Sequence, residues 1–245
     1  MKRIICIALI LCAVSAEAGW WHRGRGFTVA AAGSAPTNGL VSYWKFDGDV
    51  TDSGPEDVDL TAANLTSTTG VRNTSYYIAT DGYAYDATPK YTPYNFGTND
   101  FSISCWVKST ATSQGGMVSR YSATVASFGL VTDGSGSNVW FLTRSGSGAA
   151  ATHVFTSLCI NDGVWHHVVA VRKGTLHKVY VDHSNTESNT STIRDVDNTS
   201  LSMILGRYAR DAGGGGLGGS LDEIRIYSRA LSDSEVEGLY YWDKP

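Results

Sequence analysis

Hydrophobic and polar residues alternate along much of the chain in short runs. In the segment 101–107 (FSISCWV), the residues Phe, Ile, Cys and Val occupy every second position, which places them on one face of a strand. The segments 40–46, 178–182 and 222–227 show the same two-residue period. Residues 165–171 form a longer, valine-rich run, which is typical of a central strand covered on both faces.

Turn-forming residues separate these runs. Asp-Gly pairs stand at 81–82, 133–134 and 162–163, and four glycines follow one another at 213–216. The composition agrees, because only 17% of the residues are charged and 27 are glycines, which favours short strands joined by turns. We therefore predict an all-β fold, an antiparallel two-sheet β-sandwich.

One short helix is predicted at the C-terminus. Ser232 can cap it while Glu235, three residues later, reaches back to form a capping box. Leu231 and Val236 fall at the two positions of a hydrophobic staple. This is evidence for the start of a helix and carries no information on activity.

The N-terminus has the features of a secretory signal. Lys2 and Arg3 precede the apolar run 4–14, and residues 16–18 (AEA) give the small-x-small pattern of a cleavage site. We expect cleavage after Ala18 and export from the cell. No apolar stretch reaches the ~18 residues of a membrane-spanning helix, so no membrane span is expected.

The predicted signal peptide, residues 1–18, is followed by two parts. Residues 19–38 show no sustained period, which indicates a linker or N-terminal arm. Residues 39–245 carry the strand pattern without an internal repeat, which indicates a single domain. The formal net charge is −4, which argues against nucleic acid as a partner because such proteins need a basic surface.

Two cysteines remain after the expected cleavage, Cys105 and Cys159. In an oxidising compartment a disulfide between them can persist, and it would close a loop of about 54 residues, worth ~3–4 kcal/mol in the chain-entropy model. The alternative is two separately buried thiols. We expect the disulfide.

Several segments together resemble the laminin G-like jelly-roll domains of the concanavalin A-like lectin/glucanase superfamily. The resemblance covers about 200 residues and implies a jelly-roll β-sandwich. The segments that carry it, in the order of the family, are 39–47 (GLVSYWKFD), 52–54 (DSG), 101–107 (FSISCWV), 162–168 (DGVWHHV), 179–182 (VYVD) and 219–232 (GSLDEIRIYSRALS).

The resemblance implies a possible structural calcium ion, since family members often hold one Ca²⁺ where the first and last strands meet. Asp47 and Asp52 match the acidic positions after the first strand, and Asp222 opens the last strand. Calcium prefers six to eight oxygen ligands, which carboxylates supply. The alternative is that Asp47 and Asp52 form Asx turns and Asp222 accepts hydrogen bonds from the backbone.

No catalytic residue is predicted. Retaining glycosidases need two carboxylates about 5–5.5 Å apart, and the jelly-roll enzymes carry them in a Glu-x-Asp-x-(x)-Glu pattern on one strand, which this sequence lacks. His166 and His167 are adjacent on a predicted strand and so point to opposite faces. We expect them to pack and hydrogen-bond rather than to bind a metal.

Aromatic residues are the remaining candidates for ligand contacts. Sugar rings present C–H faces that stack on tyrosine and tryptophan, and the residues selected are Tyr83, Tyr91, Tyr94 and Trp140. The resulting hypothesis is a secreted, non-catalytic module that binds a glycan or a glycoprotein. A protein–protein adhesion or assembly module is the alternative, and a polysaccharide-active enzyme is a weaker one.

Overall fold

In the part of the chain that the structure describes, the fold is almost entirely antiparallel β-structure with one helix. A computed structural model of the chain describes residues 34–88, 92–122, 125–146, 151–156, 159–208 and 215–244. Its elements are β1 (Leu40–Trp44), β2 (Thr61–Thr69), β3 (Thr74–Tyr85), β4 (Phe101–Ser109), β5 (Gly116–Arg120), β6 (Ala126–Thr132), β7 (Val139–Ser145), β8 (Thr152–Phe155), β9 (His166–Lys173), β10 (Leu176–Val181), β11 (Asn185–Thr190), β12 (Ile204–Leu205), β13 (Gly219–Tyr227), the helix α1 (Asp233–Asp243) and a single 3-10 turn (Thr92–Tyr94).

Hydrogen bonds connect the strands into one sheet. Its order is β11-β10-β9-β4-β13-β3-β12-β5-β6-β7-β8, with β1 beside β13 and β2 beside β3. The long strand β3 joins the two halves, because residues 76–78 pair with β13 and residues 84–85 pair with β12. The all-β antiparallel prediction is confirmed, whereas the division of the β-sandwich into two sheets is not, because the hydrogen-bonded ladder is continuous.

A bend in β3 lets the sheet fold over on itself. The β2–β3 register shifts between Ala63 and Leu65, and a side chain at Gly82 would lie 2.6 Å from the carbonyl oxygen of Asn64. Only glycine allows the two backbones to approach so closely. The far ends of the sheet then meet, where the Thr152 and Ser191 hydroxyls lie 3.2 Å apart. The result is a nearly closed sandwich.

The main hydrophobic core lies between the two halves of the folded sheet. The alternation seen in 101–107 is confirmed, because Phe101, Ile103, Cys105 and Val107 are all fully buried in this core. The other side chains of β4 face away from it, and Ser104 is hydrogen-bonded to His167 there at 2.9 Å. The two-residue period thus separates two distinct packed surfaces.

The predicted disulfide is wrong, because no bond joins Cys105 to Cys159. Cys105 lies inside the main core on β4, whereas Cys159 is exposed in the segment that follows β8. Burial raises the pKa of the Cys105 thiol to about 12, so this side chain packs as a small hydrophobic group.

The C-terminal helix begins where the sequence predicts. Ser232 caps it by accepting a hydrogen bond from the Glu235 N–H, and the Glu235 carboxylate accepts one from the Ser232 N–H at 2.9 Å. Leu231 and Val236 are both buried in a second, smaller core on the outside of the sheet. The capping box and the hydrophobic staple are both confirmed.

Part of the predicted domain organisation falls on residues that are not described. The expected signal peptide, residues 1–18, and residues 19–33 of the expected arm lie outside the described residues. Within the described part of the chain, no helix is long and apolar enough to cross a membrane.

Candidate functional site

Strand register determines which side chains face outward from β3, β12 and β5–β8. One row of core residues crosses these six strands, with each member paired to the next: Ala84, Leu205, Val118, Leu130, Phe141 and Val154. Since neighbouring residues on a strand point to opposite faces, Tyr83 and Tyr85 on β3, Trp140 and Leu142 on β7, and His153 and Phe155 on β8 point outward.

We call this outer surface the aromatic face, after the side chains that distinguish it. Its aromatic members are Tyr83, Tyr85, Tyr121, Trp140, His153, Phe155 and Tyr208. The face is long, because β3 and β7 are separated by four strand spacings, or roughly 20 Å. One small ligand therefore cannot contact both ends.

Three rings form a cluster at the β7–β8 end of the aromatic face. Trp140 is paired with Phe155 across the strands, and their ring centroids lie 4.9 Å apart in an edge-to-face arrangement. His153 lies 6.0 Å from Trp140 and 5.4 Å from Phe155. Phe155 is 50% exposed, and burial lowers the pKa of His153, with the charge of Arg144 lowering it further.

A second pair of rings lies nearer the middle of the face. Tyr121 and Tyr208 stack with centroids 4.6 Å apart, and the hydroxyl of Ser119, which faces outward from β5, donates a hydrogen bond to the Tyr208 carbonyl. At the β3 end, the guanidinium of Arg207 lies 5.4 Å from the centre of the Tyr83 ring. The aromatic face thus combines apolar rings with cationic groups.

The structure separates the four aromatic residues that the sequence selects. Trp140 and Tyr83 are partly exposed on the aromatic face. Tyr94 is only 1% exposed, and its hydroxyl lies 2.8 Å from that of Ser42 inside the main core. The prediction that Tyr94 contacts a ligand is therefore corrected, because its ring offers no surface for stacking. Tyr91 lies outside the described residues.

Sequence reasoning missed His153, Phe155 and Arg144. The usable signal was the segment 152–155 (THVF), three of whose four residues favour strands, and it could have been aligned with 139–144 as a hairpin. The connection between the two strands is rich in serine, glycine and alanine. Because this segment contains no standard two-residue turn sequence, the hairpin is not recognisable from the sequence. Pairing Trp140 with Phe155 requires the register, which the structure supplies.

The three acidic residues proposed for calcium are each occupied by hydrogen bonds from N–H groups. Asp52 accepts from the backbone of Tyr43, Gly54 and Val58. Asp222 accepts from the backbone of Val71, Arg72 and Glu223. Asp47 accepts from the Asn73 side chain and the Thr74 backbone.

The three acidic residues are not gathered into one cluster of carboxylates. No group of three or more histidine, cysteine, aspartate or glutamate side chains in the described ranges is placed to hold a metal ion. Burial also raises the pKa of the Asp222 carboxyl to about 8. The geometry favours the alternative, in which Asp52 and Asp222 organise the backbone around them, and calcium stays a prediction from the resemblance.

His166 and His167 point to opposite faces of β9, as expected, and each is hydrogen-bonded. His167 is fully buried, and burial lowers its pKa to about 4. His166 Nδ1 lies 2.8 Å from Asp182, and its Nε2 lies 3.1 Å from Asp162. The sequence did not reveal these two carboxylates as partners. Burial lowers the pKa of His166, but the hydrogen bonds and charges of both aspartates outweigh it, so the pKa is raised.

Replacing Asp182 with asparagine is expected to lower the pKa of His166. Asparagine tolerates the left-handed backbone of residue 182, whose φ is 51°, so the change removes charge with little strain. In the wild type, the raised pKa means that the pair stabilises the fold below pH ~6.5 and that this contribution is lost as the pH rises through the folded-state value. Proton-detected NMR titration of His166 measures the change. A pKa that does not move would contradict the assigned pairing, and Asp162→Asn, at the more exposed partner, is the control with the smaller shift.

A buried ionic cluster lies beneath a cavity on the opposite side of the molecule. The cavity has a volume of about 390 Å³ and is bordered by Tyr43, Arg72 and Trp242, among others. Glu223 and Arg225 line it, and Arg225 contacts the carboxylates of both Glu223 and Asp243. Because one guanidinium binds both acids in the interior, they do not face each other across an open groove as glycosidase carboxylates do.

A family model supports the assignment of the chain to a laminin G-like jelly-roll fold. The laminin G-like model of the concanavalin A-like lectin/glucanases superfamily matches residues 80–237, which is more than half of the chain. Among curated proteins, none matches this chain.

Solved structures share the fold. Domain 4 of AbnA, an extracellular GH43 arabinanase from Geobacillus stearothermophilus, in complex with arabinotriose, has a TM-score of 0.67 and 21% identity, over 84% of this chain and 100% of that domain. The binding domain of Paraclostridial Mosquitocidal Protein 1 has a TM-score of 0.65 and 17% identity, over 82% of this chain. The binding domain of Botulinum Neurotoxin DC in complex with SialylT has a TM-score of 0.65 and 11% identity, over 84% of this chain.

The extent of these matches differs. This chain spans the whole arabinanase domain but only 52% of each of the two toxin binding domains. At these identities the likeness shows a common fold. The family model establishes that the chain belongs to the laminin G-like domains of the concanavalin A-like lectin/glucanase superfamily.

Proposed function

We propose that the chain is an exported, non-catalytic jelly-roll module that holds a glycan on its aromatic face. The observation that carries the proposal is the cluster of Trp140, His153 and Phe155 on one outer surface, with Phe155 50% exposed. A sugar ring presents an apolar C–H face that can stack on such rings, while polar groups beside them bind its hydroxyls.

Two further observations support a binding role. Neighbours of the same fold include a domain in complex with arabinotriose and a toxin binding domain in complex with SialylT. The buried carboxylates of Glu223 and Asp243 are both engaged by Arg225, so neither is placed as a general acid or nucleophile. A module that binds without cleaving fits both observations.

A protein–protein adhesion module is the second candidate, and the exposure of Phe155 is the observation that favours it. Exposed aromatic side chains often anchor protein interfaces. The two candidates differ in ligand chemistry, because a glycan needs flanking hydrogen-bonding groups whereas a protein partner needs a complementary apolar surface. The arginines and the histidine beside the rings favour the glycan.

The test is a glycan array probed with the exported chain, once with calcium and once with a chelator. We expect binding to one class of glycan and no release of reducing ends from a polysaccharide panel. Loss of glycan binding in the chelator would add the calcium ion to the proposal. In that case calcium should also stabilise the fold, because a ligand bound only to the native state does so. If no glycan binds but a purified protein partner does, the adhesion module is favoured. Release of reducing ends would show that the chain is a polysaccharide-active enzyme.

A further inference from the structure

His153 is the polar member of the ring cluster that it forms with Trp140 and Phe155. Its ring centroid lies 6.0 Å from that of Trp140 and 5.4 Å from that of Phe155. The residues that the structure describes provide no hydrogen-bonding partner for either of its ring nitrogens. Because the side chain is partly exposed, a molecule that stacks on the neighbouring rings also meets an imidazole with open hydrogen-bonding positions.

The histidines on two other strands use their ring nitrogens within the fold. Both nitrogens of His166 on β9 lie against aspartate carboxylates. Both nitrogens of His177 on β10 lie within 3.4 Å of threonine oxygen atoms. His153 differs because Val154, the next residue, points into the main core, so the alternation of β8 turns the imidazole outward beside Trp140.

The imidazole of His153 is neutral at pH 7. Partial burial, and then the charge of Arg144, lower its pKa below the ordinary value of 6.5. A neutral imidazole has one N–H donor and one acceptor nitrogen, whereas an imidazolium has two donors and no acceptor. The O–H group of a sugar can therefore donate a hydrogen bond to the neutral ring but not to the charged one.

Strands β7, β10 and β11 pack against β8, and Arg144 on β7 supplies the charge that acts on His153. Strand β11 presents Asn189, whose amide nitrogen lies 3.3 Å from the His153 carbonyl oxygen, and the acidic residue of this strand is Glu187. Strand β10 packs against the other face of β8, where His177 lies on the core side. Protonation of His153 would therefore place a second positive charge near that of Arg144.

We propose that His153 recognises a hydroxyl group of the sugar that stacks on Trp140 and Phe155, by accepting a hydrogen bond from it, and that the glycan is released as the medium becomes acidic. This inference rests on the proposed function and adds a specificity-determining residue and its regulation by pH. The glycan binds the neutral form of His153. Its affinity is therefore complete above the pKa of this histidine and falls below it, by at most about tenfold per pH unit for one proton.

The experiment uses an array of arabinan, xylan, mannan, galactan and sialylated oligosaccharides, and the member that binds most tightly is then titrated by calorimetry from pH 8 to pH 4.5. We expect the wild-type affinity to be constant above pH ~6.5 and to fall about threefold or more by pH 4.5. Thermal melting at each pH shows that the chain is folded throughout the series.

Two substitutions at His153 separate hydrogen bonding from stacking. His153→Phe keeps an aromatic ring but removes both hydrogen-bonding nitrogens, and it should weaken binding about tenfold at pH 7.5. His153→Gln keeps a donor and an acceptor that do not titrate, so it should retain most of the affinity and lose the pH dependence. Thermal melting of both variants shows whether they are folded.

His183 offers the matched control. Its ring lies 4.5 Å from that of Tyr240 and 5.2 Å from that of Tyr241, against the C-terminal helix. Asparagine tolerates the backbone of residue 183, whose φ is 54°. His183→Asn should therefore leave both the affinity and its pH profile unchanged.

Several results would overturn the inference. If His153→Phe binds as tightly as the wild type, the ring alone contributes, and the proposed function stands without hydroxyl recognition. If the wild-type affinity does not change with pH, or if folded His153→Gln keeps the same pH dependence, His153 does not control release. If no glycan on the array binds the wild type, the proposed function fails and the inference fails with it.

Discussion

Replacing Arg225 with methionine is expected to lower the free energy of unfolding by about 3–5 kcal/mol. Arg225 is 1% exposed and donates to both oxygens of Asp243, at 2.6 Å and 2.9 Å, and to Glu223 at 2.5 Å. Its guanidinium also lies 4.1 Å from the centre of the Tyr43 ring. Methionine preserves apolar volume but leaves two buried carboxylates without their cation. Urea denaturation followed by circular dichroism measures the loss.

A surface ion pair provides the matched control for this change. Arg229 binds Glu235 through two hydrogen bonds at 2.6 Å and 2.9 Å, but both side chains are partly exposed to solvent. Arg229→Met should therefore cost under ~1 kcal/mol. The deficit of Arg225→Met should also shrink toward acid pH, because protonation neutralises the uncompensated carboxylates. Equal losses of stability for the two variants would contradict the expectation that the buried cluster costs more to break than the surface ion pair.

Replacing Trp140 with alanine is expected to weaken glycan binding about 30-fold or more, equivalent to at least ~2 kcal/mol. Trp140 contacts both His153 and Phe155, so its loss removes the largest ring and the support of its neighbours. Phe155→Ala should weaken binding by less, since Trp140 and His153 would remain. Calorimetric titration with the glycan selected on the array measures both effects.

An exposed tyrosine on the helix serves as the control for aromatic loss. Tyr241 is 51% exposed on α1, which packs on the outside of the other half of the sheet. Tyr241→Ala should leave glycan affinity unchanged within twofold. If it weakened binding as much as Trp140→Ala, or if Trp140→Ala bound normally, the glycan would have to lie elsewhere on the molecule.

The sequence predicted the fold well wherever local rules determine the structure. The alternation in 101–107 correctly predicted which side of β4 enters the core, because strand side chains have a strict period of two. The Ser232 and Glu235 pair correctly predicted the start of α1, because capping depends on residues three positions apart. Trp140 and Tyr83, which the sequence selects as ligand contacts, are partly exposed, but the sequence did not show that they share a face.

The remaining features depend on contacts between distant segments, which a single sequence does not show. Tyr94 looks like other tyrosines of its region, and only its contact with Ser42, 52 residues away, shows that it is buried. The disulfide prediction considered cysteine count and compartment, whereas the outcome depends on where β4 and the segment after β8 lie in space.

Chemical-shift mapping by NMR, with the glycan selected on the array, tests the central claim most directly. Binding on the aromatic face should shift the amide and side-chain signals of Trp140, Arg144, His153 and Phe155 and leave those of α1 unperturbed. Shifts concentrated instead around Tyr43, Arg72 and Trp242, at the cavity above the ionic cluster, would contradict the proposed binding surface.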